Sequence, residues 1–320
     1  MNWKKVRAQQ LQTFNEFKQS EGLKIALIGD SFCETVWKEP YKTWPYLVAE
    51  DLNAELIALG RGGTALLHSY EDLVLVVDEA DYVILCITEP NRLANKYGAP
   101  LNFRVAHEFD DTVVDNIPYL LGRNALINSK KHKFSMKQHN ALMNSAKQYY
   151  YEIHDGNVHM IIHKGILMQI DELLLKKKKK CFWFSSFYDS MSDFKPKSGP
   201  IGNIPLTMIS TYELASLGLT AKQCKQYIQD MIWTKKERAK LAALGYPDTV
   251  RYNHFGSKYN KFFANMILDI IRYKSIHSRE QINIADWFPF KNFNDLANVV
   301  SIIHPWIGDD VETWGKYLRP

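Results

Sequence analysis

Ser31 and His254 are the residues of this chain whose types and settings best suit nucleophilic chemistry. Ser31 follows an apolar run over residues 24–28 and closes the tripeptide Gly29-Asp30-Ser31. A buried parallel strand reads as a short continuous apolar run, and a glycine directly after it permits a sharp turn. The Ser31 hydroxyl is therefore expected at the carboxyl end of a strand, the edge where open α/β sheets bind ligands. Gly, Asp and Ser also make ordinary turns, so the tripeptide needs support from elsewhere. Residues 54–64 repeat the form, an apolar stretch running into Gly60-Arg61-Gly62-Gly63. Near the far end, Asn253-His254 precedes residues 261–271, whose apolar positions recur at helical spacing. A histidine brought to a serine of this kind would act as its base.

The elements that must position these groups alternate. Strands are expected near 23–29, 54–59 and 82–87, with helices near 44–53 and 65–78, which implies a parallel sheet covered on both faces. The next β-like run, residues 181–187, comes only after about ninety residues, far longer than a normal crossover. An insertion with helices near 136–152 and 157–175 fills the gap. Its apolar stripe is Ile161, Ile162, Ile166, Leu167, Ile170, Leu173 and Leu174, and a cap over the ligand edge is its expected use. Residues 193–205 read as a loop, 206–210 as a fifth strand, and Thr220 as the cap of a helix that Gly245-Tyr246-Pro247 stops. The expected layout is an N-terminal helix over 1–22, an α/β domain from 23–92 and 181–274, a helical insertion or cap over 93–180, and an aromatic-rich extension over 275–320. That extension carries Trp287, Trp306 and Trp314 and packs on the domain or against a partner chain.

The constellation of Ser31, the glycine turn and His254 resembles the SGNH hydrolases, the GDSL esterase and lipase family. The resemblance covers residues 23–92 and 245–273. It implies a three-layer α/β/α sandwich with a five-stranded parallel sheet, of the flavodoxin-like kind. It also implies Ser31 as nucleophile, His254 as base, and an oxyanion hole from the Ser31 and Gly63 N–H groups and an asparagine. In the third block the family's Gly-x-Asn-Asp is replaced by Thr88-Glu89-Pro90-Asn91. Pro90 falls at the asparagine's register and has no N–H to donate, so Asn91 is the candidate, with Thr88 in support. In the last block Arg251 stands where the family has an acid three residues before the histidine. Asp248 is then the candidate acid and Glu89 the reserve, unless Glu89 simply pairs with Arg92; a Ser–His dyad without an acid is the remaining alternative. The implied activity is hydrolysis of a small-molecule or carbohydrate ester, without a cofactor. Trp37, Tyr41 and Trp44 form either an aromatic rim for a sugar or part of the core. The rival reading is a binding or assembly protein that kept this fold and lost the chemistry.

Composition narrows the class. With 320 residues, 46% hydrophobic and 23% charged, the chain is an ordinary globular protein with a mild net charge of +5. The five lysines 176–180 read as cations complementing a helix end, so no nucleic-acid partner is expected. Cys33, Cys86, Cys181 and Cys224 show no C-x-x-C spacing and read as buried thiols of a reducing compartment, Cys33 as a packing residue beside Ser31. His159 and His163 lie four apart, but no carboxylate completes a metal-binding arrangement, and no metal site is expected. The chain opens with no secretory signal and has no apolar window of spanning length, which predicts a soluble, cytoplasmic protein.

Overall fold

A computed structural model of the chain describes residues 22–34, 43–62, 64–90, 92–94, 101–102, 141, 144–145, 148–153, 155–187, 191, 193–216, 255–273 and 280–288. Its centre is a parallel sheet of six strands: β1 (Lys24–Gly29), β2 (Glu55–Ala58), β3 (Tyr82–Ile87), β4 (Lys180–Ser185), β5 (Ile201–Gly202) and β6 (Gln281–Ile282), in the order β2-β1-β3-β4-β5-β6. The described helices are α1 (Trp44–Asp51), α2 (Leu66–Val76), α3 (Gly156–Lys176), α4 (Leu206–Ser216) and α5 (Ser257–Arg272).

The central strands are apolar along most of their length because both faces are covered. Ile25, Leu27, Ile84, Cys86, Phe182 and Phe184 join Trp44 and Val48 of α1 and Phe263 and Ile267 of α5 in one core. Ala26, Ile28, Val83, Leu85 and Trp183, on the opposite face, join Leu73 of α2 and Leu167, Ile170 and Leu174 of α3 in the other. The period of two that sends successive side chains to opposite faces thus produces the three layers.

Three expectations change. The sheet gains a sixth strand, because Gln281–Ile282 pairs parallel to Ile201–Gly202. Around it, Trp287 Nε1 donates to Asp269 Oδ2 at 2.8 Å and the Phe288 ring lies 5.6 Å from Tyr259, so 280–288 is built into the domain. The apolar run 206–210 is helical, and the strand is the two-residue Ile201–Gly202 inside the stretch read as a loop. A short buried apolar run does not reveal its period, and Gly202 hides a strand: a side chain there would strike the Phe184 ring and Ile284. Finally, α3 is not a cap. It lies beside α2 as a layer of the domain, burying Leu167, Ile170 and Leu174, while Ile161 and Ile162 of the expected stripe are 69% and 52% exposed. The helix expected after Thr220 lies outside the described residues, as do the N-terminal helix, Trp306 and Trp314.

The lysine run is a latch on this layer. Lys177 pairs with Asp78 at 2.6 Å, Lys179 Nζ donates to the carbonyls of Asp78 and Ala80, and Lys180 lies over the Tyr82 ring. Cations here answer the carbonyl-rich end of α2 as well as that of α3. Among the described residues no helix is long and apolar enough to cross a membrane.

A layer helix and a cap respond differently to truncation. Ile170→Ala should cost about 2–5 kcal/mol of unfolding free energy in urea, whereas Ile161→Ala should change it by less than about 0.5 kcal/mol. Equal effects at the two positions would contradict the packing described.

Candidate active site at the β1–β3 switch point

Strand order reverses between β1 and β3, since β1 connects onward to β2 on one side while β3 and its successors build the other. The crevice outside the carboxyl ends at such a switch is where ligands bind in open α/β sheets. Register brings three chain segments to it together. Gly29 pairs with Cys86 and Ile87 with Ser185, so Asp30-Ser31, Thr88-Glu89 and Ser186-Phe187 all emerge at one edge.

Gly29 is required there. Its φ is 141°, and a Cβ would collide with the Cys86 carbonyl oxygen. Asp30 then caps a single 3-10 turn, Ser31–Cys33, by accepting the Phe32 N–H at 3.0 Å. Ser31 opens that turn at 7% exposure, and neither its hydroxyl nor its N–H bonds to another described residue. The second glycine turn packs directly against it: Gly60 N–H donates to Cys33 O at 2.9 Å and Arg61 N–H to Gly29 O at 2.8 Å. A Cβ on Gly60 would strike Cys33 Sγ and the Asp30 carbonyl. Sequence reasoning singled out Gly63 of this turn and missed Gly60, whose role depends on a close approach that spacing does not encode.

Behind Ser31 lies a buried polar group. Burial pushes the Asp30 carboxyl up to about 6, against the Arg92 cation, the Phe32 N–H and the Ser186 hydroxyl, which all favour its charged form. Neither Asp30 Oδ2 nor Ser186 Oγ completes a hydrogen bond of sound geometry, and the Thr88 hydroxyl, also fully buried, makes none among the described residues. Glu89 and Arg92 form a buried ion pair, Nε to Oε1 at 2.8 Å, with the guanidinium 4.7 Å over the Phe187 ring. Cys33, Cys86 and Cys181 are buried free thiols, and burial raises the Cys86 and Cys181 thiols well above their ordinary range.

The aromatic residue after Ser31 reaches the start of α5. Phe32 lies 5.2 Å from Phe255 and 6.4 Å from Phe187, and Trp44 Nε1 donates to Phe32 O at 2.6 Å. Trp44 is thus a core residue, and Trp37 and Tyr41 lie outside the described residues. So do His254, Asp248, Gly63, Asn91 and Arg251. Another missed residue is Glu213 of α4, whose Oε2 accepts the Gly256 N–H at 2.6 Å. No sequence signal links a glutamate on one helix to the cap of another some forty positions on. In comparisons with known proteins, no family model, curated protein or solved structure matches the chain.

Asp30 gives this edge a pH signature. Its folded pKa lies above the ordinary 3.8, so its ionisation opposes folding: its contribution is most favourable at low pH and is lost as pH rises through 6. Asp30→Asn keeps an acceptor for the Phe32 N–H and removes that penalty. Relative to wild type, the variant should gain about 2 kcal/mol on going from about pH 4 to about pH 7, read from urea unfolding. A constant difference across that range would mean that Asp30 ionises as easily folded as unfolded.

Proposed function

We propose that the protein is a serine esterase of the SGNH type, with Ser31 as nucleophile and His254 as base. His254 removes the hydroxyl proton as Ser31 Oγ attacks the acyl carbon, and the carbonyl electrons move onto oxygen. The N–H groups of Ser31 and Gly63, with Asn91 and Thr88 in support, hold that oxyanion, each such donor contributing about 3 kcal/mol to the barrier reduction. Return of the proton to the departing oxygen expels the alcohol, and water then releases the acyl group from Ser31 by the same steps reversed. The favoured substrate is an ester, with O-acyl groups on a carbohydrate as the first class to try.

The observation that carries this reading is the Phe32–Phe255 contact. These residues are the chain neighbours of Ser31 and His254, and they meet at the sheet edge where the Ser31 N–H has no acceptor among the described residues. The rival, a binding or assembly protein on the same fold, draws on a different observation. Glu89, the reserve acid for His254, is paired with Arg92 in a buried ion pair, so it would have to orient a histidine while keeping that partner.

Ser31→Ala should abolish both hydrolysis of an aryl acetate and labelling by a fluorophosphonate, with circular dichroism unchanged. Undiminished turnover in that variant would remove Ser31 from the mechanism, and an inert wild type would favour the binding protein. If Asp248 orients His254, Asp248→Asn should lower kcat by about 10⁴-fold with little change in KM. A silent Asp248→Asn in an active enzyme would leave the dyad.

A further inference from the structure

Gly256, the N-cap residue just before α5, has no side chain to satisfy the free N–H groups of the helix's first turn. The cap comes from another helix. Glu213, buried on α4, accepts the Gly256 N–H at 2.6 Å, placing a carboxylate at the positive end of α5. Asn260 ties the same turn from within: its Nδ2 donates to the carbonyls of Phe255 and Gly256, and its Oδ1 accepts the Trp44 N–H at 2.9 Å. Phe255, between these anchors, lies against Phe32, and Phe32 is held in turn by Trp44. The start of α5 and the Ser31 turn therefore form one packed unit whose outer tether is Glu213.

We propose that Glu213 is a positioning residue for the Ser31 crevice: by gripping the start of α5 it fixes the Phe255–Phe32 contact and, through it, the turn that carries Ser31. Its catalytic consequence rests on the serine-esterase reading; the anchoring itself does not. Burial pushes Glu213 up to about 7, against the N–H groups of Gly256 and Tyr259 and the Lys258 cation, the one charge that opposes the shift among the described residues. An ionised acceptor bonds more strongly than a neutral one, so the grip tightens as pH rises through neutrality.

Two variants of the full chain test this, Glu213→Ala and Glu213→Gln. In amide hydrogen exchange, Glu213→Ala should speed exchange about tenfold in both 256–260 and 31–33 while β4 is unchanged, and Glu213→Gln should restore most of the protection. Faster exchange in α5 alone, or none, overturns the coupling whatever Ser31 does. With active sites counted by fluorophosphonate, kcat per labelled Ser31 should fall about tenfold or more in Glu213→Ala, with KM within about twofold. Glu213→Gln should recover to within about threefold at pH 8, and wild type should approach it as pH falls below 7. An unchanged kcat per labelled site in Glu213→Ala overturns the positioning role while the esterase reading stands. A wild type that neither hydrolyses nor labels overturns the esterase reading, and the exchange result then decides Glu213 on its own.

Discussion

The backbone of β1 passes so close to β3 at Gly29 that no side chain fits between that residue and the Cys86 carbonyl. Everything at the candidate site follows from this approach. It lets the chain turn at a φ that other residues avoid, sends Asp30 under the edge to cap the next turn, and leaves Ser31 above it at the point where the strand order reverses. The Gly60 approach to Cys33 and Asp30 repeats the device on the other side, so the Ser31 turn is held between two glycine contacts. A methyl group at either place would have to displace backbone, not the flexible end of a side chain, except at the Cys33 sulfur.

What the sequence revealed of the fold was its periodicity, and that sufficed where elements are long. The strands at 24–29, 55–58 and 82–87 and the helices after Thr43 and Ala65 fall within a few residues of expectation because buried parallel strands and amphipathic helices leave distinct patterns. Beyond β4 the sheet was not legible, for a physical reason. A two-residue strand such as Ile201–Gly202 has no period to read, and the apolar run after it is buried as a helix. The role of α3 was misread because its outer face is itself apolar, with Ile161, Ile162 and Met168 exposed, so hydrophobicity alone did not mark the face that meets the sheet.

At the site, residue types were legible and partners were not. Ser31 and the glycine turn could be found from strand-to-turn placement. The ion pair of Glu89 with Arg92 was open as one of two readings of three-residue spacing, and the pair proves buried. Asp30 looked like an ordinary turn residue, yet it is a fully buried carboxyl whose charge is opposed by desolvation and supported from a distance by Arg92. Such long-range balances depend on which segments the sheet register brings together, and no local window of sequence contains them.

The third block shows how these constraints bear on the proposed chemistry. Glu89 accepts the Arg92 Nε–H and its carbonyl faces the Arg92 N–H, so the turn after β3 is closed upon itself by its own first and last residues. Removing either charge would strand the other in a site with almost no solvent, a cost of about 3–5 kcal/mol. In the proposed chemistry, Glu89 would have to orient a histidine while keeping this bond to Arg92. That weights the proposal towards Asp248, near the histidine in the chain, or towards a dyad, while the buried carboxylate of Glu213 holds the Gly256 N–H at the start of α5.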